Sequence, residues 1–288
     1  MIHDRPTLVI SDVHLGRAGM AATADELDEL VDAASTLVIN GDVAELHIAE
    51  WSVAAARELD RLRDRCRRSD TRLVLLAGNH DPELTARRHL VLADDRLLVT
   101  HGDAVHESLA PWSDAAPIIR NRHREVLAAM PENRRASLDG LFEAAREAAK
   151  AECEALGDLG KPTTPFAALA KPWKLTAIGG FWLSHARRMH RFASAHAPAA
   201  STVLVGHTHR AGIERVGGRT IINTGCFGVP GPALGVVLGD EGLEVRRLMR
   251  RSTRSGPRWS LGDHALHRDP TIRLGVSILE IEDDLAAG

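Results

Sequence analysis

Five stretches of this chain have the same form: an unbroken apolar run that ends abruptly in Asp, Asn or His. They are TLVISDVH at Thr7–His14, TLVINGD at Thr36–Asp42, LVLLAGNHD at Leu73–Asp81, RLLVTHG at Arg96–Gly102 and TVLVGHTH at Thr202–His209. Branched apolar residues in an unbroken run suit strands covered on both faces. A turn at the end of each run then delivers polar side chains to the carboxyl edge of a sheet, where open α/β folds hold their sites.

The segments between the runs alternate with them. Ala24–Ala34 carries Leu27, Leu30, Val31 and Ala34 at helical spacing, and the next gap sets Ile48, Trp51, Ala55, Leu59, Leu62 and Cys66 three and four apart. Strand, helix, strand, helix, strand predicts a parallel core. Pro82 is well placed to open a short helix after the third run. Between His106 and Ala200 the alternation stops, and Ala-, Arg- and Glu-rich segments such as Ser137–Leu156 predict a helical insertion interrupted by Pro162, Pro165 and Pro172. Strands return at Thr202, with Ile213–Val216, Arg219–Asn223, Gly235–Leu238 and Leu243–Leu248 close enough to be antiparallel neighbours. Residues 1–105 and 201–249 therefore read as the core, 106–200 as a helical insertion, and 250–288 as a basic linker and tail with one edge strand within Thr271–Ile281.

Bulk properties narrow the setting. A formal net charge of -3 gives no wholesale attraction to nucleic acid or membrane. Cys66, Cys153 and Cys226 are too few and too far apart for a disulfide framework or a CxxC knuckle, which predicts reduced thiols in a cytoplasm. The N-terminal MIHDRPTLVISD lacks the form of a signal peptide, and no uncharged apolar run approaches the roughly 20 residues that span a bilayer. The expectation is a cytoplasmic protein, at most peripheral to a membrane.

Nine polar side chains lie at the strand ends: Asp12, His14, Asp42, Asn79, His80, Asp81, His101, His207 and His209. Any one of them alone reads as a helix cap or a turn residue. Together they are electrostatically costly without a cation among them. Carboxylate, amide and imidazole without thiolate is a donor set for manganese, iron, zinc or a similar divalent ion. Two metals are the economical reading, with Asp12 and His14 turned to one, His207 and His209 similarly paired, and Asp42 the natural bridge.

D-x-H, G-D, G-N-H-D, H-G and G-H-T-H, in this order, resemble the motifs of the calcineurin-like metallophosphoesterase superfamily over Thr7–Gly102 and from Val203 to about Leu248. The resemblance implies an α/β fold, a two-sheet sandwich flanked by helices, with the insertion as a cap. It implies two divalent ions, manganese foremost and iron, zinc or nickel as alternatives. One would take Asp12, His14, His209 and the bridging Asp42, and the other Asp42, Asn79, His101 and His207. His80 would face the substrate phosphate, with Asp81 orienting its imidazole, and a phosphoester or pyrophosphate bond would be hydrolysed by hydroxide activated between the ions.

GDVAELHIAEW, with Glu45, and HGDAVH, with Asp103, resemble the branch of bacterial UDP-2,3-diacylglucosamine pyrophosphatases, which carries helices before its GHTH motif. That branch has G-N-R-D where this chain has His80. Related exonucleases share D-x-H-L-G and G-N-H-D, so a DNA or RNA nuclease or general phosphodiesterase is the second reading. Its candidate basic patches are Arg120, Arg122 and Arg124, and Arg246, Arg247, Arg250, Arg251, Arg254 and Arg258. A metal-free scaffold on the same fold is the third. Of the ten aromatic residues, Trp112, Phe142, Phe166, Trp173, Phe181, Trp182 and Phe192 fall in the insertion, near Arg187, Arg188 and Arg191. They read either as the core of a helical subdomain or as a lid for an acylated nucleotide sugar that brings the chain to a membrane. Arg17, directly after DVHLG, is in reach of a substrate phosphate or else an exposed loop residue.

Overall fold

The computed structural model describes residues 5–17, 19, 21–159, 172–229, 231–274, 278 and 281–285. The five apolar runs form β1 (Thr7–Ile10), β2 (Thr36–Asn40), β3 (Arg72–Leu76), β5 (Leu97–Thr100) and β6 (Thr202–Val205), and a strand not foreseen, β4 (His89–Leu92), precedes β5. Later in the chain come β7 (Gly212–Val216), β8 (Arg219–Asn223), β9 (Leu234–Gly239), β10 (Gly242–Thr253) and β11 (Gly256–Asp269). They make two sheets, ordered β11-β10-β9-β1-β2-β3 and β4-β5-β6-β8-β7. β1, β2 and β3 are parallel neighbours, as are β5, β6 and β8, and the remaining pairings are antiparallel.

The period of two along each strand explains the layering. Val9, Val38, Val74 and Leu76 of the first sheet meet Leu97, Val99, Leu204 and Ile222 of the second in a buried middle layer. The alternate residues Leu8, Ile10, Leu37, Ile39, Leu73 and Leu75 face outward, onto Leu27 ahead of α1 (Asp28–Asp32), Leu30 and Val31 within it, and Leu59 and Leu62 of α2 (Ser52–Arg68). On the far side, Leu98, Val203, Val205 and Ile221 pack against Ala186, Met189 and Ala193 of α6 (Pro172–His196). This last helix of the insertion therefore also serves as the outer layer of the second sheet. The rest of the insertion, α3 (Ala116–Ala129), α4 (Glu132–Arg135) and α5 (Leu138–Leu159), buries Ile119, Phe142, Ala145, Ala148 and Ala149 with Ala104 and Leu109. Pro162, Pro165 and Phe166 lie outside the described residues.

Three expectations are corrected. Residues 82–88 contain no helix, because the turn after Asp81 closes on a single Leu84 N–H donated to its carbonyl. The stretch from Arg250 is no linker, since β10 continues to Thr253 and pairs with the whole of β11. Its Arg-, Ser- and Gly-rich composition reflects a hairpin covered on one face, where Leu248, Trp259 and Leu261 turn inward toward the first sheet's outer core. Thr271–Ile281 holds no strand among its described residues. The free edge of β3 is met instead by Asp283 and Asp284, whose carboxylates accept the Leu73 and Leu75 N–H groups while the Asp284 N–H donates to the Leu73 carbonyl.

Trp259 fastens the hairpin: its ring lies 5.0 Å from that of Phe227, and its indole N–H donates to Glu26 at 3.2 Å. Replacing it with Ala is expected to lower unfolding free energy by about 3–5 kcal/mol, read from urea denaturation.

Candidate metal centre

The carboxyl ends of the strands converge at one edge, and the backbone there is left-handed. Asp12 has φ 52°, His14 54°, Asp42 51°, His207 66° and His209 56°. Asp, Asn and His tolerate this region better than other side-chain-bearing residues, and a concentration of it marks a place where the fold sustains strain. In D-V-H the alternation buries Val13 completely, so Asp12 and His14 are released to the same side. Two motif glycines are dictated by close approach. A Cβ at Gly78 would overlap the Asp42 carboxylate, and one at Gly206 would overlap the carboxylate of Asp12 and the hydroxyl of Ser11.

Two clusters result. In the first, a carboxylate oxygen from each of Asp12 and Asp42 and a ring nitrogen from each of His14 and His209 lie within 4.8 Å of one another. His209 Nε2 is 3.3 Å from Asp12 Oδ1 and 3.0 Å from His14 Nε2. In the second, Asn79 Oδ1 lies 2.9 Å from His207 Nδ1 and 3.3 Å from His101 Nε2, which is 3.2 Å from Asp42 Oδ2. The same Asp42 Oδ2 is 3.8 Å from His14 Nε2 and so faces both clusters.

The hydrogen bonds behind these rings decide which nitrogens are free. His14 Nδ1 lies 3.0 Å from Glu45 Oε1, His101 Nδ1 3.1 Å from the Asn40 carbonyl, and His207 Nε2 3.2 Å from the Leu109 carbonyl. Oxygens of these kinds only accept, so each ring donates there and turns its second nitrogen, as a lone pair, toward the oxygens and imidazoles of its cluster. Lone pairs and carboxylates so close together require a cation. In the protein alone protons serve: burial would lower His101, but Asp42 and Asp12 raise it to about 10. His209 is likewise raised, against burial, by Asp12. Burial would raise Asp42, yet His101 and His80 hold it well below the carboxylate range. His207, by contrast, is kept neutral, lowered to about 4 by burial and the charge of His101. Carboxylate, amide and imidazole donors of this kind fit a pair of divalent ions.

The partner of His80 is not Asp81. His80 Nδ1 lies 3.0 Å from Glu45 Oε2, so one fully buried carboxylate holds His14 with one oxygen and His80 with the other. Burial would lower the His80 imidazole, but Glu45 and Asp42 raise it to about 9. Asp81 instead accepts backbone N–H groups from Val43 at 2.5 Å, Ala44 at 3.2 Å and Gly78 at 2.6 Å. It splices the G-D loop to the G-N-H-D loop, and its carboxyl is pushed to about 7 by burial and the charge of Asp42. A second splice is Arg88, buried, which donates to the Gly78 carbonyl and to Asp103 of the H-G-D turn at 2.5 Å. Glu45 was legible only as the acidic residue three places after Asp42.

The insertion completes one wall. Besides the Leu109 carbonyl, Trp112 and Phe181 each bring a ring centroid to 5.8 Å from that of His207, and the Trp182 indole donates to the Thr208 carbonyl. Phe142 and Phe181 are core residues and Trp173 is exposed, so the insertion's aromatics do not form one apolar lining. The basic patches are largely consumed by ion pairs: Arg122 with Glu147, Arg124 with Glu107, Arg246 with Glu244, Arg250 with Glu26, Arg258 with Asp28. No helix among the described residues is long and apolar enough to cross a membrane.

Residues 5–211 match the family model described as calcineurin-like phosphoesterase. Similar solved structures include Vps29 from Cryptosporidium parvum, 10% identical, covering 91% of this chain and 100% of that one at a TM-score of 0.40. A Vps29 complexed with zinc from Entamoeba histolytica is 13% identical over 89% and 97%, TM-score 0.37. A conserved protein of Streptococcus pneumoniae, titled a predicted phosphoesterase, is 13% identical over 91% and 100%, TM-score 0.38. No curated protein matches the chain.

Substituting Asp81 by Ala leaves three buried N–H groups without an acceptor. The expected cost is about 3 kcal/mol or more, seen as a lowered urea midpoint with an unchanged slope.

Proposed function

We propose that this chain, which belongs to the calcineurin-like phosphoesterase family, is a hydrolase that holds two divalent cations and cleaves a phosphoester or diphosphate bond. The observation that carries this reading is one carboxylate oxygen, Asp42 Oδ2, facing two convergent donor sets. Asp12, His14, His209 and Asp42 would hold one ion, and Asp42, Asn79, His101 and His207 the other. Divalent ions there supply a water acidic enough to ionise at neutral pH and positive charge against the phosphoryl oxygens.

The chain's own residues orient and exclude. Glu45 binds the Nδ1–H of both His14 and His80, so the Nε2 of His80 is left for the substrate. With its side chain 34% exposed while Asp42 and His101 are 1% exposed, His80 stands at the open side of the centre. As a cation it donates a hydrogen bond to a phosphoryl oxygen and hands a proton to the leaving oxygen. Asp81 positions this loop from beneath, and Trp112 and Phe181 exclude water from the His207 side.

Manganese is the first ion to test, because the donors are oxygen and imidazole nitrogen without thiolate; iron, zinc and nickel suit the same set. An acylated nucleotide sugar of the UDP-diacylglucosamine kind is the first substrate to test, supported by the motifs around Glu45 and Asp103 and by Trp112 beside the centre. Such a substrate would bring the chain to a membrane surface, where Trp173, Leu175 and Leu183 of α6 are exposed. Simple diesters and single-stranded DNA are the competing substrates.

The experiment is phosphorus-resolved hydrolysis of UDP-diacylglucosamine, bis-p-nitrophenyl phosphate, p-nitrophenyl phosphate and single-stranded DNA by manganese-loaded protein. Turnover of at least one is expected, and Asp42→Asn is expected to lose both turnover and bound metal by elemental analysis. A fully loaded wild type inert to every ester would falsify the reading. His80→Ala is expected to lower kcat by about 10²–10³ while retaining metal, since it is the backbone N–H of residue 80, not the ring, that bonds Asp42 at 2.9 Å.

A further inference from the structure

Arg17 follows the D-V-H-L-G motif, and its backbone is not loose. The Leu15 N–H donates to the Val43 carbonyl at 2.8 Å, Glu45 N–H returns to the Leu15 carbonyl at 3.1 Å, and Arg17 N–H donates to the His14 carbonyl at 3.2 Å. This short ladder sets the Arg17 guanidinium over the ring of Trp51, 5.3 Å from its centroid, with 18% of the side chain exposed. An arginine so enclosed ordinarily spends its donors on protein acceptors. This one does not. Its approach to Glu45 is 3.6 Å, beyond hydrogen-bond reach, and both Glu45 oxygens already accept from His14 and His80. Among the described residues no N–H of the guanidinium makes a hydrogen bond, and Nε is buried without a partner.

Position gives those donors a use. The residues of the centre with appreciable exposure are His80 at 34% and His209 at 22%, so the entrance lies on their side. The His14 ring sits 5.0 Å from each of theirs, and Arg17 shares Glu45 with His80. The two cationic side chains are therefore separated by the width of one carboxylate, at the rim of the centre. A planar guanidinium held over an aromatic ring, with unspent donors, is suited to bidentate recognition of a phosphate.

We propose that Arg17, held on Trp51, forms a second anion subsite that receives a further phosphate joined to the scissile one through a bridging oxygen, making diphosphates the preferred substrate class. The subsite rests on the hydrolytic reading for its role in turnover, but it makes a binding prediction of its own. The alternative is that Arg17 only balances the charge of Glu45, in which case it distinguishes no ligand from another.

The test uses the full chain stripped of metal and titrated calorimetrically with methylenediphosphonate and with methylphosphonate, which leaves no ion for the diphosphonate to chelate. The wild type is expected to favour the diphosphonate by about tenfold or more, and Arg17→Met, which keeps the aliphatic packing on Trp51, to bring the two within about threefold. Arg17→Lys should restore part of the preference. In the manganese-loaded protein, Arg17→Met should raise KM for a nucleoside diphosphate sugar by about tenfold with kcat little changed, and leave bis-p-nitrophenyl phosphate within about threefold. An unchanged diphosphonate preference in Arg17→Met, no preference in the wild type, or equal losses on both substrates overturns the subsite. A wild type that hydrolyses nothing yet shows an Arg17-dependent preference defeats the hydrolytic reading and leaves the subsite standing.

Discussion

A single buried carboxylate, that of Asp42, is the constraint to which the rest of this edge is fitted. Both of its oxygens are committed, Oδ1 to the backbone N–H of His80 and Oδ2 to the space between His14 and His101. An anion 1% exposed is tolerable only if positive charge surrounds it, and here the charge comes from imidazoles on three different loops, those of His14, His80 and His101. Gly78 lacks a side chain because this carboxylate lies against it. The loops, in turn, are spliced beneath by Asp81 and Arg88, so buried hydrogen bonds away from the convergent side chains hold them in relative position.

The strands and the convergent side chains were legible because they rest on local rules: a period of two, an apolar run, a turn at its end. Asp12 and His14 are two residues apart and turn to one cluster as expected, whereas His207 and His209, at the same spacing, are divided between the two clusters instead of sharing one. Glu45 escaped because its meaning depends on the loops after β1 and β2 running side by side, paired at Leu15 and Ala44. Asp81 was misread for a different reason. The family resemblance implies a contact with His80, whereas the tight turn sends the carboxylate under Gly78, to the backbone N–H groups of Val43, Ala44 and Gly78. β11 was missed since a strand with one solvated face can be built largely from Arg, Ser, His and Gly, and only Trp259 and Leu261 betray the buried side.

The boundary between core and insertion, clear in composition, is blurred in the chemistry. The Leu109 carbonyl lies within the inserted segment and yet selects which nitrogen of His207 is protonated. α6 lies in the same segment and supplies a layer that the second sheet requires. A change in the insertion is therefore felt at the centre through the Leu109 carbonyl and the rings of Trp112 and Phe181, all of which meet His207.

The acidic turn that meets β3 has a different importance. An unpaired strand edge offers its N–H and carbonyl groups to any extended chain that drifts past, and sheets with such edges tend to grow from one molecule into the next. Here Asp283 and Asp284, some two hundred residues downstream, occupy that edge with carboxylates and one backbone bond, and Arg87 clamps Asp284 in place at 2.7 Å. Charge set where another strand would have to dock makes the first sheet self-terminating on this side, so a neighbouring chain could extend it there only by displacing the acidic turn.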